Sequence, residues 1–514
     1  MKRLIIKGGK MNDKKFDLGT NKIVQFLKKD PNNFTIDDII KFIKKNDIKM
    51  LNFNYIGGDN KLKTLSFSIR NEKQIRQLLE WGERVDGSSL FSYIDPSNSD
   101  LYIIPRLKTV FINPFSTIPT LNILCSYFDD NGNELAIAPE YIVKKAHQEL
   151  IKSTGVSLQV LGELEYYVIY ERQENSLFLD SSKKNYQQSK PFVKYEDMNN
   201  EILHILTSIG ANVKYGHSEV GSIILENDKI LEQYEIEFDL EPLEDMANHL
   251  VIGKWIVRNV AARYGIEVTF APKIAVGYAG SGLHIHITAI KKGKNILFDN
   301  NKILSQDAKR IIGGLIKLAP SITAFGNTNP TSYLRLVPNQ EAPTTISWGE
   351  KNRLVLIRVP LGWRKTTHMS SIINQNVTKS IYSEQNQTIE LRSPDGSANI
   401  HLLLASIAVA TKFGLTNNES LKLAEEKHVE LDILKKENKK LLKKYEHLPK
   451  SCYESAEKLK EHAYIYQSDG VFNKRIIEGL INQLKSFNDK NLNYELKKDK
   501  KKAEKYIKDF IHCG

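Results

Sequence analysis

The 514 residues predict an α+β fold, and three observations carry that prediction. Alternating strand-like stretches and helix-like i, i+3, i+4 stretches follow one another in mixed order, without the regular beat of βαβ units. Acidic side chains recur at alternate positions inside apolar strands, which calls for a sheet whose polar face is in use. The chain is also too long for one compact core, and about two to four domains are expected.

Residues 1–34 are polar, lack sustained periodicity and read as an extension or a short helix. Thr35, followed by acids and an apolar repeat, predicts a capped helix. "MLNFNYI" alternates as a strand, "GGDNK" turns, and "LKTLSFSI" alternates again, giving a hairpin. "LYIIP" and "LNILCSYFD" add strands, so residues 35–135 form a small mixed domain. A helix opens in "APEYIVKKAHQEL". "QVLGELEYYVIY" is then a strand, "NEILHILTSIG" a helix, "YEIEFDL" a strand, "MANHLVIGKWIVRNVAARYG" a long helix and "SGLHIHITAI" a strand. Residues 136–514 make the large domain, whose end from about residue 416 is lysine-rich helix, with a fresh start at Ser451.

The formal charge of +12 raises the question of nucleic acid. Its distribution answers it. Lysines in "KKENKKLLKKYEHLPK" and "ELKKDKKKAEKYIK" alternate with Glu, Leu and Ile as on a solvated helix face, so no nucleic-acid partner is expected. No apolar run approaches the roughly 18 residues that span a bilayer, and "MKRLIIKGGK" breaks off before a signal-peptide core forms. No membrane partner and a cytoplasmic location are expected. Cys125, Cys452 and Cys513 are far apart and lack metal-ligand spacing, which fits a reducing compartment.

The chemistry lies in the strands. Glu163 and Glu165 of "GELEYYVIY" share one face, as do Glu235 and Glu237 of "EQYEIEF", and Glu219 ends "YGHSEV". Paired carboxylates repel each other unless a cation lies between them. "GSGLHIHI" places His284 and His286 on one face behind a glycine elbow. One such pair alone equally describes a wet sheet face, but four strands with the same inward chemistry point to shared divalent metals. Downstream, Arg335, Arg353, Arg358 and Arg392 with Glu390 supply fixed positive charge for phosphate and carboxylate. Together these residues suit transfer of a phosphoryl group to a carboxylate.

At this point the chain resembles the glutamine synthetase family. The likeness is carried, in order, by "VDGSS", "GELE", "HSEV", "QYEIEF", "GSGLHIH", "NPTSYLRLVPNQEAP", "NRLVLIRVP" and "IELRSPDGSAN". The resemblance implies a β-grasp-like N-terminal domain and a catalytic domain whose curved antiparallel sheet is flanked by helices. It implies ATP-dependent ligation of ammonia to the γ-carboxylate of L-glutamate through a γ-glutamyl phosphate. Two or three Mg2+ or Mn2+ ions per site are implied, as is a homo-oligomer of stacked rings with sites shared between subunits.

By the same resemblance, Glu165, Glu219 and Glu235 hold one ion, and Glu163, His284 and Glu390 hold another. His217, His286, Thr288, Arg353 and Arg358 contact ATP. Gly280, Arg335 and Arg392 bind glutamate, with Ser89 near the amine site. Asp86 helps deprotonate ammonium, and Glu341 of a mobile flap takes a proton from the tetrahedral adduct. Arg353 also stabilises the phosphoryl group in flight.

Some positions depart from the family pattern. Ala279 stands where asparagine is usual, Ser218 where a second histidine is common, and Thr388 where a basic nucleotide contact is frequent. The segments 220–234 and 361–389 are long, and Arg364 or Lys365 in the second is a candidate replacement cation. The tyrosine-bearing loop that some bacterial members adenylylate has no match, and Tyr186 is the candidate tyrosine of the amine site. A γ-glutamyl ligase acting on a larger amine or polyamine is the alternative. A catalytically silent relative is the third reading, but it predicts lost metal ligands, and all six acids and histidines are present.

Overall fold

The computed structural model describes residues 19–172, 185–225, 228–299, 301, 303–337, 342–362, 369–374, 376, 387–429 and 445–514. After a short helix, Lys22–Leu27, the helix Ile36–Lys45 starts at a reciprocal cap. Asp38 N donates to Thr35 Oγ1 (3.2 Å) and Thr35 N to the Asp38 carboxylate (2.9 Å), an arrangement worth about 1 kcal/mol. The first sheet contains β1 (Met50–Ile56), β2 (Leu62–Ser68), β3 (Glu83–Asp86), β4 (Asp100–Pro105), β5 (Phe111–Ile112) and β6 (Thr120–Phe128). Its order is β2-β1-β6-β4-β3, with β5 also on β6, and β1 runs parallel to β6. Ile39, Phe42, Leu51, Phe53, Leu121 and Ile123 form its core. This is the β-grasp unit, and its edge strand β3 ends at Asp86.

The second sheet contains β7 (Val156–Glu171), β8 (Val213–Ile224), β9 (Lys229–Phe238), β10 (Glu241–Pro242), β11 (Glu267–Thr269), β12 (Leu283–Lys291), β13 (Lys294–Asn295), β14 (Trp348–Glu350), β15 (Ile357–Val359) and β16 (Ile389–Leu391). Its main path is β14-β15-β16-β12-β7-β9-β8, antiparallel except between β14 and β15. The long β7 pairs with β12 over residues 156–164 and with β9 over 163–171, so Glu163 and Leu164 have both neighbours at once.

Alternation then sorts the side chains. Leu164, Tyr166, Ile236, Phe238, Leu283, Ile285 and Ile287 are buried in the main core, while the intervening acids and histidines share the other face. Helices Pro139–Thr154 and Leu243–Arg263 pack on β7, and Glu196–Ile209 packs on β8. Ile400–Thr416 lies between Pro139–Thr154 and Gln306–Gly326 and closes the core. The two units are joined through Asn60, whose Nδ2 donates to Ala398 O (2.7 Å) and whose Oδ1 accepts from Ile400 N (3.2 Å). Among the described residues no single helix is long and apolar enough to cross a membrane.

Candidate active site

Register places the functional side chains. Glu163 faces His284 on β12 and Glu237 on β9, Glu165 faces Glu235, and His217 on β8 faces Glu235 from the far side. His286 faces Glu390 on β16, which in turn faces Arg358 on β15. One polar strip therefore crosses six strands, with guanidinium at one end and imidazole at the other.

At its centre two histidines bracket Glu163. His284 Nδ1 is 2.8 Å from Glu163 Oε2 and 3.8 Å from Glu390 Oε1; His286 Nε2 is 3.0 Å from Glu163 Oε1 and 3.9 Å from Glu390 Oε2. His286 Nδ1 is held at 2.9 Å by the Thr388 hydroxyl, which fixes the ring with Nε2 toward the carboxylates. Thr388, read as a lost nucleotide contact, is thus the partner that orients this histidine. Thr288 is fully buried and donates its hydroxyl to Gln387 O (2.6 Å), tying β12 to the segment that enters β16.

Among the described residues, two groups bring their ligand atoms within 4.8 Å of one another: Glu163, His286 and Glu390, and Glu163, Glu235 and Glu237. Glu237, which shares a face with Glu235 in the sequence, was outside the implied ligand set; its spacing from Glu235 was the available signal. Glu165 turns its Oε2 to Gly282 N (2.7 Å) and Gln233 Nε2 (2.8 Å), and Glu219 Oε2 is 3.7 Å from His217 Nδ1.

Charge crowding shows in the acidities. Burial raises the Glu163 pKa, but His286 and His284 outweigh it and hold the carboxyl well below its usual range. Glu390 is likewise lowered against burial, chiefly by His286. Glu235 is pushed well above the usual range by burial and by the charges of Glu163 and Glu165, and Glu237 is raised by burial and by Glu163. The upward shift persists although His217 Nε2 lies 3.3 Å from Glu235 Oε1 and Lys214 Nζ donates to Glu237 Oε1 (2.5 Å), so burial and the neighbouring carboxylates outweigh these partners.

Arginines line the other end. Arg358 Nη1 donates to Glu390 Oε2 (2.8 Å), Arg392 pairs with Glu390 Oε1, and Arg335 Nη1 donates to Ser393 O (2.9 Å). Among the described residues the buried Nε atoms of Arg358 and Arg392 have no hydrogen-bond partner. Arg353 is exposed on the turn before β15. Gly280 is required by space: a Cβ there would lie 1.8 Å from Pro272 O. A Cβ on Gly282 would meet Arg335 Nη2 at 2.7 Å, His284 Nε2 at 2.9 Å and Glu165 Oε1 at 3.0 Å, so glycine is required where guanidinium, imidazole and carboxylate approach one another. The donors that do converge, the carboxylates of Glu163, Glu235, Glu237 and Glu390 with the His286 imidazole, are hard oxygens and a nitrogen of the kind that fit divalent cations.

At the β8 edge, Ser218 Oγ donates to Asn185 O (2.6 Å) and Ser218 O accepts from Gln187 N (2.8 Å). This clamp brings the Tyr186 ring to 5.4 Å from the His217 ring. Asp86 and Ser89 stand apart from this strip. Both are exposed beside the edge strand of the small sheet, where Asp86 accepts from Ser88, Ser89 (2.6 Å) and Ser99 (2.8 Å), and these bonds lower its pKa. Glu341, Arg364 and Lys365 lie outside the described residues.

Residues 136–502 match the catalytic domain of glutamine synthetase, and residues 47–130 match its beta-Grasp domain. A glutamine synthetase of Clostridium saccharobutylicum is 28% identical over 436 residues, covering 84% of this chain and 90% of that protein. Among solved structures, Plasmodium falciparum glutamine synthetase superposes with a TM-score of 0.70 at 21% identity, covering 90% of this chain and 97% of that one. A GmaS/ADP complex superposes at 0.68 and 18% identity, covering 89% and 98%. Two domains in this order, with this acid-lined sheet face and these matches, define a ligase. The chain belongs to the glutamine synthetase family.

Proposed function

We propose that the chain transfers the γ-phosphoryl group of ATP to the γ-carboxylate of L-glutamate and that ammonia then displaces phosphate from the acyl carbon, giving glutamine, ADP and phosphate. The convergence of Glu163, Glu165, Glu235, His284, His286 and Glu390 on one sheet face, beside Arg335, Arg358 and Arg392, carries this reading. Mg2+ or Mn2+, two or three per site, would be held by Glu163, His284 and Glu390 and by Glu165, Glu219 and Glu235, with His286 and Glu237 adjoining, and would screen the phosphates.

Arg335 and Arg392 hold the amino-acid carboxylate, with the glutamate backbone against Gly280. Arg358 and Arg353 offset the charge that spreads over the transferring phosphoryl group, and their charge is fixed at every working pH. His286 belongs to the nucleotide side, with the buried Thr288 behind it tying β12 to the entry of β16, and His217 stands at the Glu219 and Glu235 end. Ammonium has no lone pair, so a carboxylate must favour its binding and take a proton; Asp86 with Ser89, supplied by a neighbouring subunit of a ringed homo-oligomer, has that role. Glu341 closes the site and accepts the proton of the tetrahedral adduct, because an acyl phosphate in an open cleft hydrolyses.

A larger amine as acceptor is a second reading. It is favoured by the open rim at the β8 edge, where Tyr186 and Tyr215 flank His217 and are 48% and 43% exposed. Steady-state phosphate release with ATP, Mg2+, L-glutamate and a panel of amines tests both. Preference for ammonium supports the first reading, preference for an alkylamine or polyamine supports the second, and no turnover with any acceptor rejects both.

A further inference from the structure

We infer that Gln233 is a positioning residue: its buried amide couples the Glu165 carboxylate to the glycine loop 280–282, so that cation binding and amino-acid binding at this end of the site are set together. This inference deepens the function proposed above and rests on it.

Gln233 is 1% exposed, next to Glu232 and Tyr234 on β9. Its Nε2 donates to Glu165 Oε2 (2.8 Å) and to Gly280 O (3.3 Å), and its Oε1 accepts from Gly221 N (3.1 Å). Only one amide orientation satisfies all three. The flipped amide would set C=O against a carboxylate and a carbonyl, and NH2 against an N–H. Buried groups left unpaired in that way are costly, so the orientation is locked.

The lock depends on local backbone structure. The β8 and β9 register breaks between Ser218 and Ser222, and the irregular stretch delivers Gly221 N to the amide. A Cβ on Gly221 would lie 2.0 Å from the Tyr167 hydroxyl oxygen and 2.4 Å from Gln233 Oε1, so glycine is required. The Tyr167 hydroxyl itself donates to Ala279 O (3.0 Å), a second tie from the sheet to the same loop.

The consequence falls on Glu165. Gln233 and Gly282 N together occupy Oε2, leaving Oε1 turned toward His284, whose Nε2 lies 3.9 Å away, and toward Arg335. Gln233 therefore reaches neither substrate nor ion. It fixes which carboxylate oxygen faces the site and where the loop carbonyls lie, the role that outer partners play at ligand carboxylates.

The test uses the full chain and two variants, Gln233→Glu, which keeps the shape but sets a carboxylate against Glu165, and Gln233→Met, which keeps length without donors or charge. Three readouts are taken: hydrogen–deuterium exchange of residues 277–285 in metal-free protein, Mn2+ titration by calorimetry without nucleotide, and the KM values for glutamate and ATP. Both variants are expected to raise exchange of the loop, to weaken Mn2+ about 10–100-fold and to raise KM for glutamate about tenfold or more, with KM for ATP within about twofold. Folded variants with wild-type exchange and wild-type Mn2+ affinity overturn the inference. If Gln233→Glu fails to fold, Gln233→Met decides. If wild-type protein binds no Mn2+, the functional reading fails, and loop exchange alone then decides: a rise supports the coupling and no change overturns it.

Discussion

Glu163 on β7 and His284 on β12 are cross-strand partners with Nδ1 2.8 Å from Oε2, so backbone register sets their distance. Glu163→Gln keeps the size and the pairing but removes the charge that both imidazoles face. The expected outcome is a folded protein whose Mn2+ affinity falls by at least about 100-fold, beyond the effect of an outer partner. Calorimetric Mn2+ titration alongside thermal melting checks this, and undiminished affinity removes Glu163 from the ligand set.

Arg335 is fully buried, with one guanidinium nitrogen on Ser393 O and another beside His284. Arg335→Lys keeps a positive charge but loses the fork. Loss of a charge-assisted hydrogen bond costs about 1.5–3 kcal/mol, which predicts a KM for glutamate higher by roughly 10–100-fold with KM for ATP little changed. Initial-rate measurements over both substrates check the split.

The raised pKa of Glu235 has a definite sign in the metal-free protein. A carboxyl raised in the folded state costs nothing below its unfolded pKa, where it is protonated in both states, and destabilises the fold as pH rises from there through the elevated folded value. Glu235→Gln is therefore expected to stabilise metal-free protein at pH 8, raising its denaturation midpoint, with little effect near pH 4. The same variant should lose stabilisation by Mn2+. Denaturant titrations at the two pH values, with and without the ion, check both.

Among the described residues Asp86 bonds to Ser88 and Ser89 of its own turn and to Ser99 just ahead of β4, away from the strip that its chain carries. If a neighbouring subunit supplies it, Asp86→Ala and Arg353→Ala proteins, each inactive alone, should regain roughly a quarter of wild-type rate after random subunit exchange. Activity after dissociation and reassembly, with mass analysis of the mixed particles, checks this. No recovery in proven mixed particles assigns Asp86 elsewhere.

Much of the sheet was legible because alternation is a local property. "MLNFNYI" and "LKTLSFSI" became β1 and β2, and the same period put Glu163, Glu165, His284 and His286 on one face. Thr35 and Ser451 start helices where the capping pattern placed them. Less legible were features that arise from pairing. Gln233 carries no charge signal, and its partners come from β7, β8 and the loop before β12. Thr388 looked like a missing cation because its place beside His286 depends on β16 lying next to β12. Ser218 looked like a missing histidine, whereas its hydroxyl and carbonyl clamp the turn that bears Tyr186.

The handover along β7, from β12 to β9 at Glu163 and Leu164, makes this strand intolerant of changes in length. Inserting or deleting one residue ahead of position 163 would send Glu163 and Glu165 into the oily layer and bring Leu164 and Tyr166 out, disabling both strand junctions in one event. Point substitutions can therefore tune this enzyme gradually, but a single-codon indel in that stretch is all or nothing. Random-length mutagenesis should recover survivors only from the connecting segments.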